Sequence, residues 1–305
     1  MAEVRRMNGA GAWFLRERSI IGRSRVCTVP LDDPRVSGEH ALVRWNGRAW
    51  ELQDLSSRNG TFVAGRRLAV GECISLSPGT VLGFGSPGGY KFAGGEPPSP
   101  FAVPLAGGAP IEAQDGLLAL PDSEQPELTV HRCADHGWSI EQAGDVSGIE
   151  DGAIVFSANG AWCLHLPGAL QQTLEASGDE PTIDTIKLQF RVSSDEETIE
   201  LLALHPGGAI DLKVRVHHYP LLLLARARLR DAALPADQQG WIEQSKLLRQ
   251  LRCDDDRLYI DIFRGRRQLA QAGIAGAPRL IERRPRTRLL RIGVASLEIV
   301  PLLAS

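Results

Sequence analysis

Cysteine is scarce in this chain and poorly placed for chemistry. The five cysteines, Cys27, Cys73, Cys133, Cys163 and Cys253, are odd in number, widely spaced and without a Cys-x-x-Cys pair. That argues against a disulfide framework and a thiolate zinc site, so a reducing compartment, the cytoplasm, is the expectation. Long apolar runs are missing too. The N-terminal MAEVRRMNGAGAWFLRERS holds no stretch long enough for a signal-peptide core. The run Leu221–Leu224 is four residues, far short of a membrane span. There is no Gly-rich nucleotide loop, no Gly-x-Ser-x-Gly elbow and no His-Glu-x-x-His helix. The acidic runs SDEE and CDDD lack the ligand rhythm of a calcium loop. No enzymatic activity and no cofactor are expected. The segment HRCADH brings His131, Cys133 and His136 close in sequence, but a strand points the two histidines to opposite faces. His217-His218 has the same weakness, and no metal site is expected.

What is present is globular material. With 305 residues, 43% of them hydrophobic, the chain can fill two or three domains. Its net charge of −3 conceals an asymmetry. Residues 1–95 carry 13 basic against 8 acidic side chains, residues 96–220 carry 5 against 20, and residues 221–305 carry 16 against 9. Two basic ends flank an acidic middle, which suggests anion-binding ends, or ends that fold back on the middle.

Residues 11–93 read as short strands (WFL, SIIG, ALVRW, WELQDL, TFVAG, CISLS, TVLGF) punctuated by Pro and Asn-Gly turns, the pattern of an all-β sandwich. Residues 94–126 hold seven prolines and read as a Pro/Gly-rich linker, although FAVPL and GLLAL within it could dock on a domain. A β-rich middle region follows over 127–194. Over 195–305 a hairpin gives way to helical periodicity. One helix carries Leu222, Leu223, Ala227 and Leu229, and a second carries Trp241, Ile242, Leu247, Leu248 and Leu251. A third is capped by Asp254–Asp256, buries Leu258, Ile262 and Leu269, and stops at Gly273. LIERRPRTRLLRIG then reads as strand, basic turn, strand. The fold class expected is multidomain: an all-β sandwich, a β-rich middle and an α+β domain.

The stretch SSRNGTF is the most informative. Asn59-Gly60-Thr61 fits a glycosylation sequon, but without export that reading loses its context. Asn-Gly also favours a tight turn. Read with IIGRS and VSGEHA, DLSSRNGTFVAG closely resembles the forkhead-associated (FHA) domain, with Gly22-Arg23, Ser37-Gly38-Glu39-His40 and Asn59-Gly60-Thr61 in the family's order and intervals. The resemblance covers residues 11–93. It implies a sandwich whose end loops bind phosphothreonine peptides, with a threonine-phosphorylated protein as partner. Arg23 and Ser37 would hold phosphate oxygens, and Asn59 would bond the peptide backbone. His40, with Gly22, Gly60 and Thr61, would be scaffold. The chemistry agrees: a phosphomonoester carries nearly two charges and three acceptor oxygens, which a planar Arg fork and a hydroxyl can satisfy. The chain departs from the pattern at Gly38, where a polar residue is frequent, at Arg58, in place of Thr or Ser, and at Ala64, in place of Asn. Gly38 and Arg58 bear on which peptide fits.

The C-terminal run resembles the winged-helix output domains of bacterial response regulators over roughly 195–300. That resemblance implies a recognition helix, Leu258–Leu269, and a wing centred on Arg283-Arg284-Pro285-Arg286. Both would bind double-stranded DNA through Arg264, Arg267, Arg283, Arg284, Arg286 and Arg288, with Tyr259 adding a phosphate hydrogen bond. Against this stand Asp254–Asp256 and Asp261, which oppose phosphate, and Gly265, where the family places a core Leu. Arg266 can pack its stem inward. The expectation is a phosphothreonine-dependent signalling regulator that binds DNA, its basic face masked by the acidic middle in the free protein. The alternative is a phosphopeptide adaptor whose winged helix binds protein.

Overall fold

The computed structural model describes residues 1–9, 11–133, 137–168, 180–284 and 286–302. The chain forms two compact units. Among the described residues, no helix is long and apolar enough to cross a membrane.

The first unit comprises Met1–Phe101 and a short segment beginning at His165. Its strands are β1 (Glu3–Arg6), β2 (Ala12–Phe14), β3 (Arg18–Gly22), β4 (Val29–Pro30), β5 (Ala41–Trp45) and β6 (Trp50–Asp54). They continue with β7 (Thr61–Val63), β8 (Arg66–Arg67), β9 (Cys73–Leu76), β10 (Val81–Phe84) and β11 (Tyr90–Ala93). Two sheets result, in the orders β2-β1-β11-β10-β7-β8 and β4-β3-β5-β6-β9. Alternation places Trp50 and Leu52 of β6, Val43 of β5, and Leu82 and Phe84 of β10 in one apolar core. The sandwich begins earlier than the sequence pattern suggests. β1 pairs with β11, and Ala2 and Val4 are buried.

The second unit contains Ala102–Leu164 and the chain from Leu174 onward. β12 (Phe101–Pro104), β13 (Ile111–Glu112), β14 (Leu117–Leu120), β15 (Leu128–Cys133), β16 (Gly137–Gln142), β17 (Asp145–Ile149), β18 (Ile154–Ser157) and β19 (Gly160–His165) come first. They make two four-stranded sheets, β13-β12-β19-β18 and β14-β15-β16-β17. The segment 94–126 is therefore not a free linker: β12–β14 lie within it, and Leu117–Leu120 are buried throughout. Its prolines flank or end strands rather than interrupting them.

β20 (Lys187–Val192), β21 (Ile199–His205) and β22 (Gly208–Val214) form an antiparallel meander. After them come α1 (His218–Arg230), β23 (Ile242–Glu243), α2 (Gln244–Leu251) and α3 (Asp255–Gln271). The chain ends with β24 (Ile281–Arg284), β25 (Leu289–Ile292) and β26 (Ser296–Pro301). β26 returns to pair with β20 in parallel, so the expected boundary at 194/195 divides a single sheet. Leu188 and Phe190 of β20 share a core with Leu222, Leu258, Ile262 and Leu290. A helix, β23, two helices and the β24–β25 hairpin thus follow the meander in chain order. One difference from the expected helices is local: Trp241 and Ile242 precede α2, and Ile242 pairs with Leu290. Asp254 caps α3 by accepting from the Arg257 N–H at 2.9 Å.

Candidate functional site

Three stretches converge at one end of the first unit. After β3, the Arg23 N–H donates to Ser37 O at 2.8 Å and the Ser24 N–H to Gly38 O at 3.0 Å. Gly22 is required by this approach, because a Cβ there would lie 2.1 Å from Gly38 O and 3.0 Å from Cys27 Sγ. The third stretch joins through side chains. Ser37 Oγ accepts from the Arg58 N–H at 3.1 Å, and Asn59 Nδ2 donates to Arg35 O at 2.8 Å. Arg23, Gly38, Arg58 and Asn59 are exposed and Ser37 is half-buried, so this cluster faces solvent.

His40 braces it from beneath. Its ring is fully buried, with Nδ1 accepting from the Ser37 N–H at 3.0 Å. Nδ1 is thus unprotonated, so Nε2 carries the hydrogen and donates to Gly60 O at 3.1 Å. Burial lowers the His40 pKa, against the pull of the Gly60 carbonyl and Asp54, which fits this neutral tautomer. Asp54 anchors the same turn, accepting from Ser57 Oγ at 2.5 Å and Thr61 Oγ1 at 2.6 Å. Burial opposes its ionisation, but these bonds and the Ser57 N–H prevail and lower its pKa. Gly60 sits at φ +88°, in the left-handed region. Ala64 (φ 49°) and Gly65 (φ 82°) form the two-residue turn between β7 and β8, the conformation that suits Asn-Gly. The departure at Ala64 is therefore a turn detail.

Sequence reasoning missed Arg35. It is exposed, its carbonyl holds Asn59, and its guanidinium pairs with Asp33 at 2.7 Å. The signal was present as an arginine two residues before Ser37, but a backbone role leaves no side-chain motif.

Comparison with known proteins matches residues 19–85 to the FHA domain. The N-terminal unit carries an FHA domain. Over 62 residues the chain is 42% identical to an oxoglutarate dehydrogenase inhibitor of Corynebacterium jeikeium (strain K411), covering 20% of this chain and 43% of that protein. The chain thus spans less than half the length of that relative. A solved structure from work on phosphothreonine-dependent FHA domain interactions is 28% identical, covering 32% of this chain and 97% of that one, with a TM-score of 0.28. Mycobacterium tuberculosis EmbR, solved with a low-affinity phosphopeptide, is 22% identical, covering 30% and 24%, with a TM-score of 0.28.

In the second unit the residues expected to meet DNA separate into two groups. Arg264, Arg284, Arg286 and Arg288 are exposed. Arg284 lies 4.6 Å from the Trp241 ring centroid, as does Arg291. Arg267 is half-buried and donates to Gln114 Oε1 at 3.1 Å. Tyr259 and Arg283 are corrections. Tyr259 is 7% exposed, and its hydroxyl bonds Thr129 Oγ1 at 2.5 Å and Glu141 O at 3.2 Å. The Arg283 side chain is 5% exposed, donating to Glu141 Oε1 and Gln244 Oε1, each at 2.6 Å. Neither can touch a duplex in this arrangement. The physical reason is that α3 buries two faces. Leu258, Ile262 and Leu269 enter the helical core, while Tyr259, Phe263 and Arg266 meet the β14–β17 sheet. Gly265 also faces inward: a Cβ there would lie 3.2 Å from Leu280 Cδ2. Of the HRCADH segment, His131 and Cys133 belong to β15, whereas His136 lies outside the described residues, as does Pro285 of the wing.

Proposed function

We propose that the chain is a phosphothreonine-dependent signalling protein whose FHA loops dock a threonine-phosphorylated partner. Arg23 and Ser37 take phosphate oxygens, Asn59 takes the peptide backbone, and Arg58 reads a flanking acidic group. Arg35 holds Asn59 through its carbonyl, its own guanidinium being paired with Asp33. The observation that carries the reading is the convergence of Arg23, Ser37 and Asn59, from three separate stretches, on one exposed cluster braced by a buried neutral His40. A planar guanidinium, a hydroxyl and a carboxamide in solvent-facing loops suit a phosphomonoester on an extended peptide. The test is binding of phosphorylated against unphosphorylated threonine peptides by the full chain and by Arg23→Ala.

For the C-terminal domain, the seam on α3 favours the adaptor reading, in which this domain engages protein. It already does so with the chain's own β14–β17 sheet. DNA binding is the second reading, supported by the exposed Arg264, Arg284, Arg286 and Arg288. It requires the seam to open before Tyr259 and Arg283 take part. The soluble, cytoplasmic setting is part of the same proposal.

A further inference from the structure

Behind the seam lies a cavity of about 400 Å³, bounded in part by His131, Val146, Trp241, Arg266, Ile281 and Arg283. That volume falls in the range of small-molecule sites, about 300–1,000 Å³.

Its electrostatics are unbalanced. Arg279 and Glu282 also line the cavity, but Arg279 pairs with Asp184, and Glu282 pairs with Arg291 at 2.7 Å. What remains is two guanidinium groups, Arg266 and Arg283, sharing one carboxylate, Glu141, which is itself fully buried. One positive charge is left over where water solvates it poorly. Two buried polar atoms of the lining residues also lack protein partners. Arg266 Nε and His131 Nδ1 make no hydrogen bond, although the residues are 2% and 5% exposed. Buried polar atoms without a partner are uncommon, and here two belong to residues that line one cavity.

We propose that this cavity binds a small apolar monocarboxylate. The carboxylate supplies the missing anion to Arg266 and Arg283, within reach of His131. The apolar body rests on Val146, Ile281 and Trp241. A single carboxylate matches the surplus of one charge, whereas a phosphomonoester, with nearly two charges, overshoots it. The ligand binds across the seam, touching β15 and β17 on one side and α3 and β24 on the other. Occupancy therefore strengthens the attachment of α3 to the sheet.

The experiment is calorimetric titration and thermal melting of the full chain with benzoate, hexanoate, benzamide and inorganic phosphate. Saturable binding of benzoate or hexanoate is expected, with benzamide at least about tenfold weaker because it lacks the charge. Val146→Trp, which fills the cavity, should remove the response while the circular dichroism spectrum is retained. Equal binding of benzoate and benzamide, binding of phosphate alone, or no binding by either carboxylate overturns the proposal. So does unchanged benzoate binding in a folded Val146→Trp protein. Where that variant melts early, the contrast between benzoate and benzamide on the unaltered chain decides.

Discussion

Arg266 Nη1 lies 2.6 Å from Glu141 Oε2, and both side chains are almost wholly removed from solvent. This contact joins a strand of the middle sheet to the helix expected to read DNA, across 125 positions of sequence. Burial opposes ionisation of Glu141, but Arg266 and Arg283 outweigh it and hold its pKa at about 2. The group is therefore an anion at neutral pH.

The first prediction concerns acid. Glu141 ionises more easily folded than unfolded, so its contribution is complete above its ordinary pKa of 4.5 and disappears as pH falls toward about 2. By linkage that limb is on the order of 3 kcal/mol. His131 and His218, each lowered chiefly by burial to about 4, act at higher pH. Their contribution is complete above 6.5 and fades as pH falls toward 4, because the unfolded chain takes the protons first. Stability measured by urea titration should thus fall in two overlapping limbs. Glu141→Gln should shrink the lower limb by about Glu141's share, leaving what Asp33 and Asp54 contribute, and keep the upper one. An unaltered lower limb in that variant would contradict the assignment.

Removing the carboxylate also leaves two buried cations without their anion. Glu141→Ala should cost about 3–5 kcal/mol at neutral pH, by analogy with other broken buried pairs. A loss below about 1 kcal/mol, read from denaturant midpoints, would mean that the seam is solvated.

Gly22 gives a separate prediction in the FHA domain. Alanine there collides with Gly38 O and Cys27 Sγ, and both backbones are fixed by strand and loop hydrogen bonds. Gly22→Ala should destabilise the domain by about 1–3 kcal/mol, as overpacking does. It should also weaken peptide binding by displacing Ser37. A substitution that leaves melting unchanged would show that the loops yield freely.

DNA binding has its own test. Deleting residues 96–194 to unmask α3 would also remove Leu188 and Phe190 from the helical core, so a point variant is the cleaner probe. If the second reading holds, Glu141→Ala should bind duplex more tightly than the unaltered chain. The log–log salt slope should shrink by about 1 when Arg284 or Arg286 is neutralised. Absence of duplex binding by both proteins at low salt would leave the adaptor reading.

The cluster of candidate FHA loops was legible because it is built from short local motifs. Gly22-Arg23, Ser37 to His40 and Asn59-Gly60-Thr61 each shape a loop largely by themselves, and the sandwich brings the loops together. Arg35 was not legible, since it contributes a carbonyl. The strand–turn–strand rhythm and the Asp254 cap were readable for the same local reason. What sequence did not reveal depends on distant partners. Proline count marked 94–126 as a linker; that GLLAL could dock was legible, but not that Leu117–Leu120 become a buried strand beside β15. A division at residue 194 looked natural until β26 closed on β20. Tyr259 and Arg283 read as DNA contacts because nothing in their neighbourhood announces Glu141. Only the overall charge split hinted that an acidic residue of the middle, Glu141, meets Arg266 and Arg283 of the basic end.

The most direct test of the central claim is the affinity of the full chain for a threonine peptide library, phosphorylated and unphosphorylated, alongside Arg23→Ala. Phosphorylated peptides should bind selectively. Arg23→Ala should lose about 10- to 100-fold in affinity, the value of one or two charge-assisted hydrogen bonds, while its melting curve is preserved. Equal binding of unphosphorylated peptides, or full affinity in a folded Arg23→Ala protein, would contradict the assignment of these loops to phosphothreonine.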